Sequence, residues 1–126
     1  MNIGVKVWLE KDGKTIFGLG KVKLLKAIER EGSISKASKV TGISFRRAWK
    51  LLEDIETNLG INILEKKRGG KNGGYTRLTT EAKELLAKFE DTADEIIEFA
   101  RESYNIHFNK NKSIMKINNK KMNSEK

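Results

Sequence analysis

The 126-residue sequence contains no cysteine and a single histidine, His107. The first absence excludes disulfides, thiol catalysis and cysteine-based zinc sites. The second excludes a metal centre built from several imidazoles. Long apolar runs are missing too. No stretch approaches the roughly 20 residues that cross a bilayer, and the opening MNIGVKVWLEKDGK lacks the apolar core of a secretory signal. The sequence therefore predicts a soluble cytoplasmic protein that contacts no membrane. No nucleophile–base pair, paired acid and base or metal-ligand set is visible, so an enzyme is not expected, nor are catalytic residues, a cofactor or a metal.

What is abundant is positive charge, with 26 Lys+Arg against 17 Asp+Glu and a net charge of +9. Its distribution is uneven. Residues 1–78 carry 17 cations against 8 acids, residues 79–105 carry 3 against 8, and residues 106–126 carry 6 against 1. A basic first part, an acidic middle and a basic end suit a polyanion partner held by the first part, and nucleic acid is the commonest polyanion.

The stretch from Gly32 to Gly60, GSISKASKVTGISFRRAWKLLEDIETNLG, predicts two helices around a tight turn. Ser33 or Ser35 can cap the first helix, which places Ile34, Ala37 and Val40 on one face. Gly42, in Thr41-Gly42-Ile43, can adopt the positive φ that ends a helix. Ser44 caps the second helix, where Ala48, Leu52, Ile55 and Leu59 recur at helical spacing and leave Arg46, Arg47 and Lys50 exposed near its start. A short helix, a glycine turn and a longer helix with cations on its first turns form the pattern of a DNA-reading helix-turn-helix. The small pair Ala37-Ser38 allows the two helices to cross closely.

The flanks extend this pattern. Ile3, Val5, Val7 and Leu9 alternate with Gly4, Lys6, Trp8 and Glu10, which predicts a half-buried strand. Asp12-Gly13 predicts a hairpin, with Thr15-Ile16-Phe17 returning and Gly18-Leu19-Gly20 as a flexible joint. A helix follows over residues 21–31 with Val22, Leu24, Leu25 and Ile28 inward. After Gly60, a strand over 61–67, a loop of glycines and cations, and a return strand over 75–78 form a wing. Five cations and no acid lie between Lys66 and Arg77. Thr79 caps a long last helix. Its stripe of Ala82, Leu85, Phe89, Ala93, Ile96, Ala100 and Tyr104, widened by Leu86, Ile97 and Phe99, is longer than a small domain can cover. Part of it is therefore expected to contact a second copy, as in a short coiled coil.

The expected fold is α+β, mainly α: a winged helix-turn-helix with an N-terminal hairpin and a C-terminal dimerisation helix. The expected domain spans residues 1–105, with the dimerisation helix over 79–105 and a basic, disordered tail over 106–126. The expected DNA contacts are Arg46, Arg47 and Lys50 on base edges and Ser44 on a phosphate or base edge. Ser33, Ser35 and Lys36 meet the backbone, and Arg68, Lys71 and Arg77 act from the wing. Trp49 is expected in the core. The expected dimer contacts are Leu85, Phe89, Ala93, Ile96 and Ala100. Three functions fit: a dimeric, sequence-specific transcription regulator, a non-specific architectural nucleic-acid binder, and a winged-helix interaction module serving a separate sensor chain.

GSISKASKVTGISFRRAW followed by RGGKNGGYTRLT resembles the DNA-binding domain of the ModE family of molybdate-responsive regulators, and more distantly that of LysR-type regulators. The resemblance covers about residues 21–86 and implies a winged helix-turn-helix that binds double-stranded DNA and dimerises through helices outside the reading head. Ser38 stands where the family usually has alanine, a small change. The family's C-terminal oxyanion-binding domain is expected to be absent from this chain, so the resemblance implies DNA binding and not molybdate sensing.

Overall fold

The computed structural model describes residues 1–69 and 74–109. Contacts divide the chain into two units, residues 7–90 and residues 1–6 with 91–126.

The unit of residues 7–90 begins with a hairpin of β1 (Leu9–Lys11) and β2 (Lys14–Phe17). Asp12 and Gly13 turn it with φ of 51° and 77°, the double positive φ that a two-residue hairpin loop requires. The strand expected from Ile3 is shorter than its alternation suggests. Only Leu9–Lys11 pairs with β2, with a bulge between Leu9 and Glu10, and Ile3 and Val5 are exposed. The four-residue β2 offers no partner further back. Gly18-Leu19-Gly20 is likewise not a joint: Gly18 is the N-cap and α1 (Leu19–Glu31) starts directly after it.

The helices α2 (Ile34–Thr41) and α3 (Phe45–Leu59) follow, then a second antiparallel hairpin of β3 (Leu64–Lys67) and β4 (Tyr75–Leu78). One core unites them. Ile16 and Phe17 from β2, Leu24, Leu25 and Ile28 from α1, Leu52 and Ile55 from α3, Ile63, Leu78 and Ala82 are all sealed from solvent. In α2 the buried residues are Ile34, Ala37 and Ser38. That stripe advances by three and four residues, which rotates Val40 outward, so Val40 is exposed and not inward as expected. Ser38 meets its burial by donating from Oγ to the Ser35 carbonyl at 2.9 Å.

The last helix, α4, runs Thr80–Phe108. Thr79 caps it by accepting from the Ala82 N–H at 3.2 Å. Ala82 and Leu86 are buried, and Leu85 and Phe89 pack against the core, the Phe89 ring 5.7 Å from that of Phe17. Part of the apolar stripe thus packs into the core of residues 7–90.

In the other unit, Tyr104 donates to the Met1 carbonyl at 2.7 Å and stacks on Phe108 at 5.0 Å. Ile106 is buried. The helix therefore continues past Asn105, where the sequence placed the start of a disordered tail; stacking and burial hold residues 106–108 in register. Residues 110–126 lie outside the described residues. No described helix is long and apolar enough to cross a membrane.

Candidate nucleic-acid interface

The geometry of the helix pair follows from its caps. Ser33 is extended (φ −156°) and accepts from the Lys36 N–H, and Ser44 (φ −61°, ψ 150°) accepts from the Arg47 N–H. Each satisfies one of the amide groups left orphaned at a helix start. Between them Gly42 ends α2 at φ 73°, a conformation that a Cβ would strain. Thr41 pins the turn by donating to the Ala37 carbonyl at 2.7 Å and accepting from the Ile43 N–H at 3.4 Å. Buried Ala37 on α2 and Ala48 on α3 keep the facing surfaces flat where the helices cross.

This arrangement buries Ala48, Leu52 and Ile55 and leaves the opposite face of α3 in water. Ser44, Arg46, Arg47 and Lys50 line one shallow depression of about 280 Å³. All four are exposed. Lys50 also reaches Asp54 one turn on, at 3.3 Å, in an exposed pair of little intrinsic worth. The cations stand at the N-terminal end of the helix, where the unpaired amides add partial positive charge.

Ser35 and Lys36 are exposed on the first turn of α2, with Ser33 half-buried at its cap. In the wing, Arg68 is exposed, while Lys71 lies outside the described residues. Arg77 is not a free arm. Its Nε donates to Glu65 across the hairpin at 3.0 Å, and its guanidinium lies 4.7 Å from the centre of the Tyr75 ring. The Glu65 hydrogen bond, with Tyr75 and further acids adding to it, raises the pKa of Arg77 and keeps it charged.

The wing is tied to the head by groups that sequence patterns do not single out. The Thr76 N–H donates to the Gly32 carbonyl at 2.8 Å. The Leu78 N–H donates to Glu29 Oε2 at 2.9 Å, and Glu29 Oε1 pairs with Lys83 Nζ at 3.0 Å. One carboxylate on α1 thus links β4 and the start of α4. Burial works to raise the Glu29 pKa, but the Leu78 N–H, Lys83 and Arg77 outweigh it and the net shift is downward. The third tie is Lys66, whose ammonium sits 3.8 Å from the centre of the Trp49 ring. Trp49 is half-buried against the core and not enclosed by it, which corrects the expectation in part. Gly74, just before β4, has no room for a side chain: a Cβ there would clash with the Lys67 carbonyl oxygen.

Of the residues expected to mediate dimerisation, Leu85 and Phe89 pack against the core of residues 7–90. Ala93 and Ala100 are half-buried, and Ile96 is 44 % exposed.

The sequence pattern of the family described as "Bacterial regulatory helix-turn-helix protein, lysR family" matches residues 19–83. Among individual proteins, the chain is 42 % identical over 76 residues to the molybdenum transport protein ModE of Herbaspirillum seropedicae, covering 60 % of this chain and 28 % of that protein. It is 43 % identical over 70 residues to the transcriptional regulator ModE of Haemophilus influenzae, covering 56 % of this chain and 28 % of that protein. With the molybdenum transport protein ModE of Azotobacter vinelandii it shares 33 % identity over 81 residues, 64 % of this chain and 30 % of the relative. The matched stretch is under a third of the length of these relatives.

Proposed function

The chain belongs to the lysR family of bacterial regulatory helix-turn-helix proteins, and from that premise we propose that it is a dimeric, sequence-specific transcriptional regulator. It reads an inverted repeat in double-stranded DNA with residues 44–59 in the major groove and residues 66–77 as the wing. The observation that carries this reading is the exposed depression lined by Ser44, Arg46, Arg47 and Lys50 on the first turns of α3, the part of a recognition helix that meets base edges. An arginine fork there matches O6 and N7 of guanine. Ser33, Ser35, Lys36, Arg68, Lys71 and Arg77 then hold the backbone, which positions the head without specifying sequence. Arg77 exchanges its Glu65 pairing for phosphate.

Dimerisation uses the portion of the α4 stripe beyond the reading-head core, with Ala93, Ile96 and Ala100 at its centre and Leu85 and Phe89 at its edge. It sets two reading helices one turn of DNA apart, about 34 Å. The domain so defined runs from residue 1 to the end of α4 at Phe108, and the protein acts in the cytoplasm as a regulator and not as an enzyme. Two of the relatives above carry molybdenum in their names. The stretch shared with them supports DNA reading, and no oxyanion role is assigned to this chain.

Selection from a random duplex library tests the proposal, with sedimentation of the recovered complexes. Enrichment of an inverted repeat, bound by two copies per duplex, is the expected outcome. Recovery of sequences with no common site would contradict it in favour of non-specific binding.

A further inference from the structure

Phe45 is the first residue of α3, and its side chain is 51 % exposed. The core does not need it, since α3 buries Ala48, Leu52 and Ile55 instead. Its ring is nevertheless held in place. It stands edge-on to Trp49, with centroids 6.2 Å apart and planes at 80°, and Trp49 is itself packed on the core and carries the Lys66 ammonium over its face. Successive helix residues are rotated by about 100°, so Phe45 projects about 100° from Arg46, on the side of the helix it shares with Trp49, whose ring carries the wing residue Lys66. A large apolar ring is thus fixed on the first turn of α3, between Ser44 and Arg46 in the chain, which both line the cationic depression.

Base edges in the major groove present donors, acceptors and one apolar group, the 5-methyl of thymine. An apolar side chain fixed on the first turn of a reading helix has that group as its match. We propose that Phe45 is a specificity-determining residue that packs against the 5-methyl group of a thymine in each half-site, beside the position read by Arg46. The inference rests on the DNA-reading function proposed above and names one chemical group that the site recognises.

Deoxyuridine removes that methyl and keeps every hydrogen-bonding group of thymine. The test takes a duplex that the protein prefers over its scrambled counterpart, replaces each thymine singly by deoxyuridine, and measures affinity by fluorescence anisotropy for wild type, Phe45→Leu and Phe45→Ala. Wild type should lose about four- to fivefold at one position per half-site, the worth of one buried methyl-sized group. Phe45→Leu should keep part of that loss. Phe45→Ala should bind the thymine and uracil duplexes alike, while its circular dichroism matches wild type because the residue lies outside the core. A wild-type protein indifferent to every substitution, or a penalty that persists unchanged in Phe45→Ala, overturns the inference and leaves the regulator standing. If no duplex is preferred over its scrambled counterpart, the regulator itself falls, and the role of Phe45 with it.

Discussion

At the scale of single residues, Glu29 and Arg46 do different kinds of work. Glu29 accepts from the Leu78 amide and pairs with Lys83, and its side chain is 37 % exposed. Glu29→Ala should therefore cost only about 1 kcal/mol in urea unfolding, the low end for a charged hydrogen bond because water screens the pair. The pH dependence follows from the lowered pKa. The stabilisation is fully present above the ordinary value of 4.5 and is lost as pH falls through the lower folded-state value. The urea midpoint of wild type should drop more steeply below pH 4.5 than that of Glu29→Gln. Arg46, by contrast, is exposed on the face of α3 opposite Ala48, Leu52 and Ile55. Arg46→Ala should leave stability within about 0.5 kcal/mol of wild type.

At the scale of elements, the start of α3 and the loop end of the wing make separable predictions. Ser44→Ala removes a cap and should cost about 0.5–2 kcal/mol of stability. Ser44→Asp keeps a capping oxygen but places a carboxylate where the proposal puts phosphate or a base edge. It should unfold like wild type and bind DNA more weakly, a split that thermal melts and anisotropy together resolve. In the wing, Gly74→Ala must push the strands apart to clear the Lys67 carbonyl. It should cost about 1–3 kcal/mol, as overpacking does, and speed hydrogen exchange at the Thr76 amide. The caps, the Gly42 turn and the Asp12-Gly13 hairpin were legible in the sequence because each is settled within a few neighbouring residues. The Glu29–Leu78 tie spans 49 positions, and no periodicity marks a carboxylate for a distant amide. The alternation from Ile3 to Leu9 reported a capacity to pair but not a partner, so it overstated β1. One member of the α2 stripe was misread because Val40 and Ser38 exchange the places that hydrophobicity alone would assign.

At the scale of the whole molecule, charge and association decide the behaviour. A chain at +9 that neutralises several phosphates should lose affinity steeply with salt, about 0.9 decades per decade of salt for each contact. Removing a phosphate contact such as Arg68→Ala should shallow that slope by about one while weakening all duplexes alike. The fold class was legible because the helix, turn and wing signals agree along the chain. The α4 stripe shows what was less so: apolar periodicity does not say whether Leu85 and Phe89 face their own core or another copy, and the structure packs one side of each against their own core while leaving both partly exposed. A carboxylate at the centre of the remaining stripe, Ile96→Asp, should convert the proposed dimer to monomer in sedimentation velocity and abolish the preference for paired half-sites.

The central claim is that the cationic first turns of α3 read base sequence. It is tested most directly by anisotropy titration of wild type and Arg46→Ala against a selected duplex and its scrambled counterpart at matched salt. The account predicts that wild type prefers the selected duplex by at least a thousandfold, the usual specific range. Arg46→Ala should narrow that gap by about 1–3 kcal/mol while binding the scrambled duplex nearly as well as before. Equal affinities for both duplexes, or a gap untouched by Arg46→Ala, would contradict it.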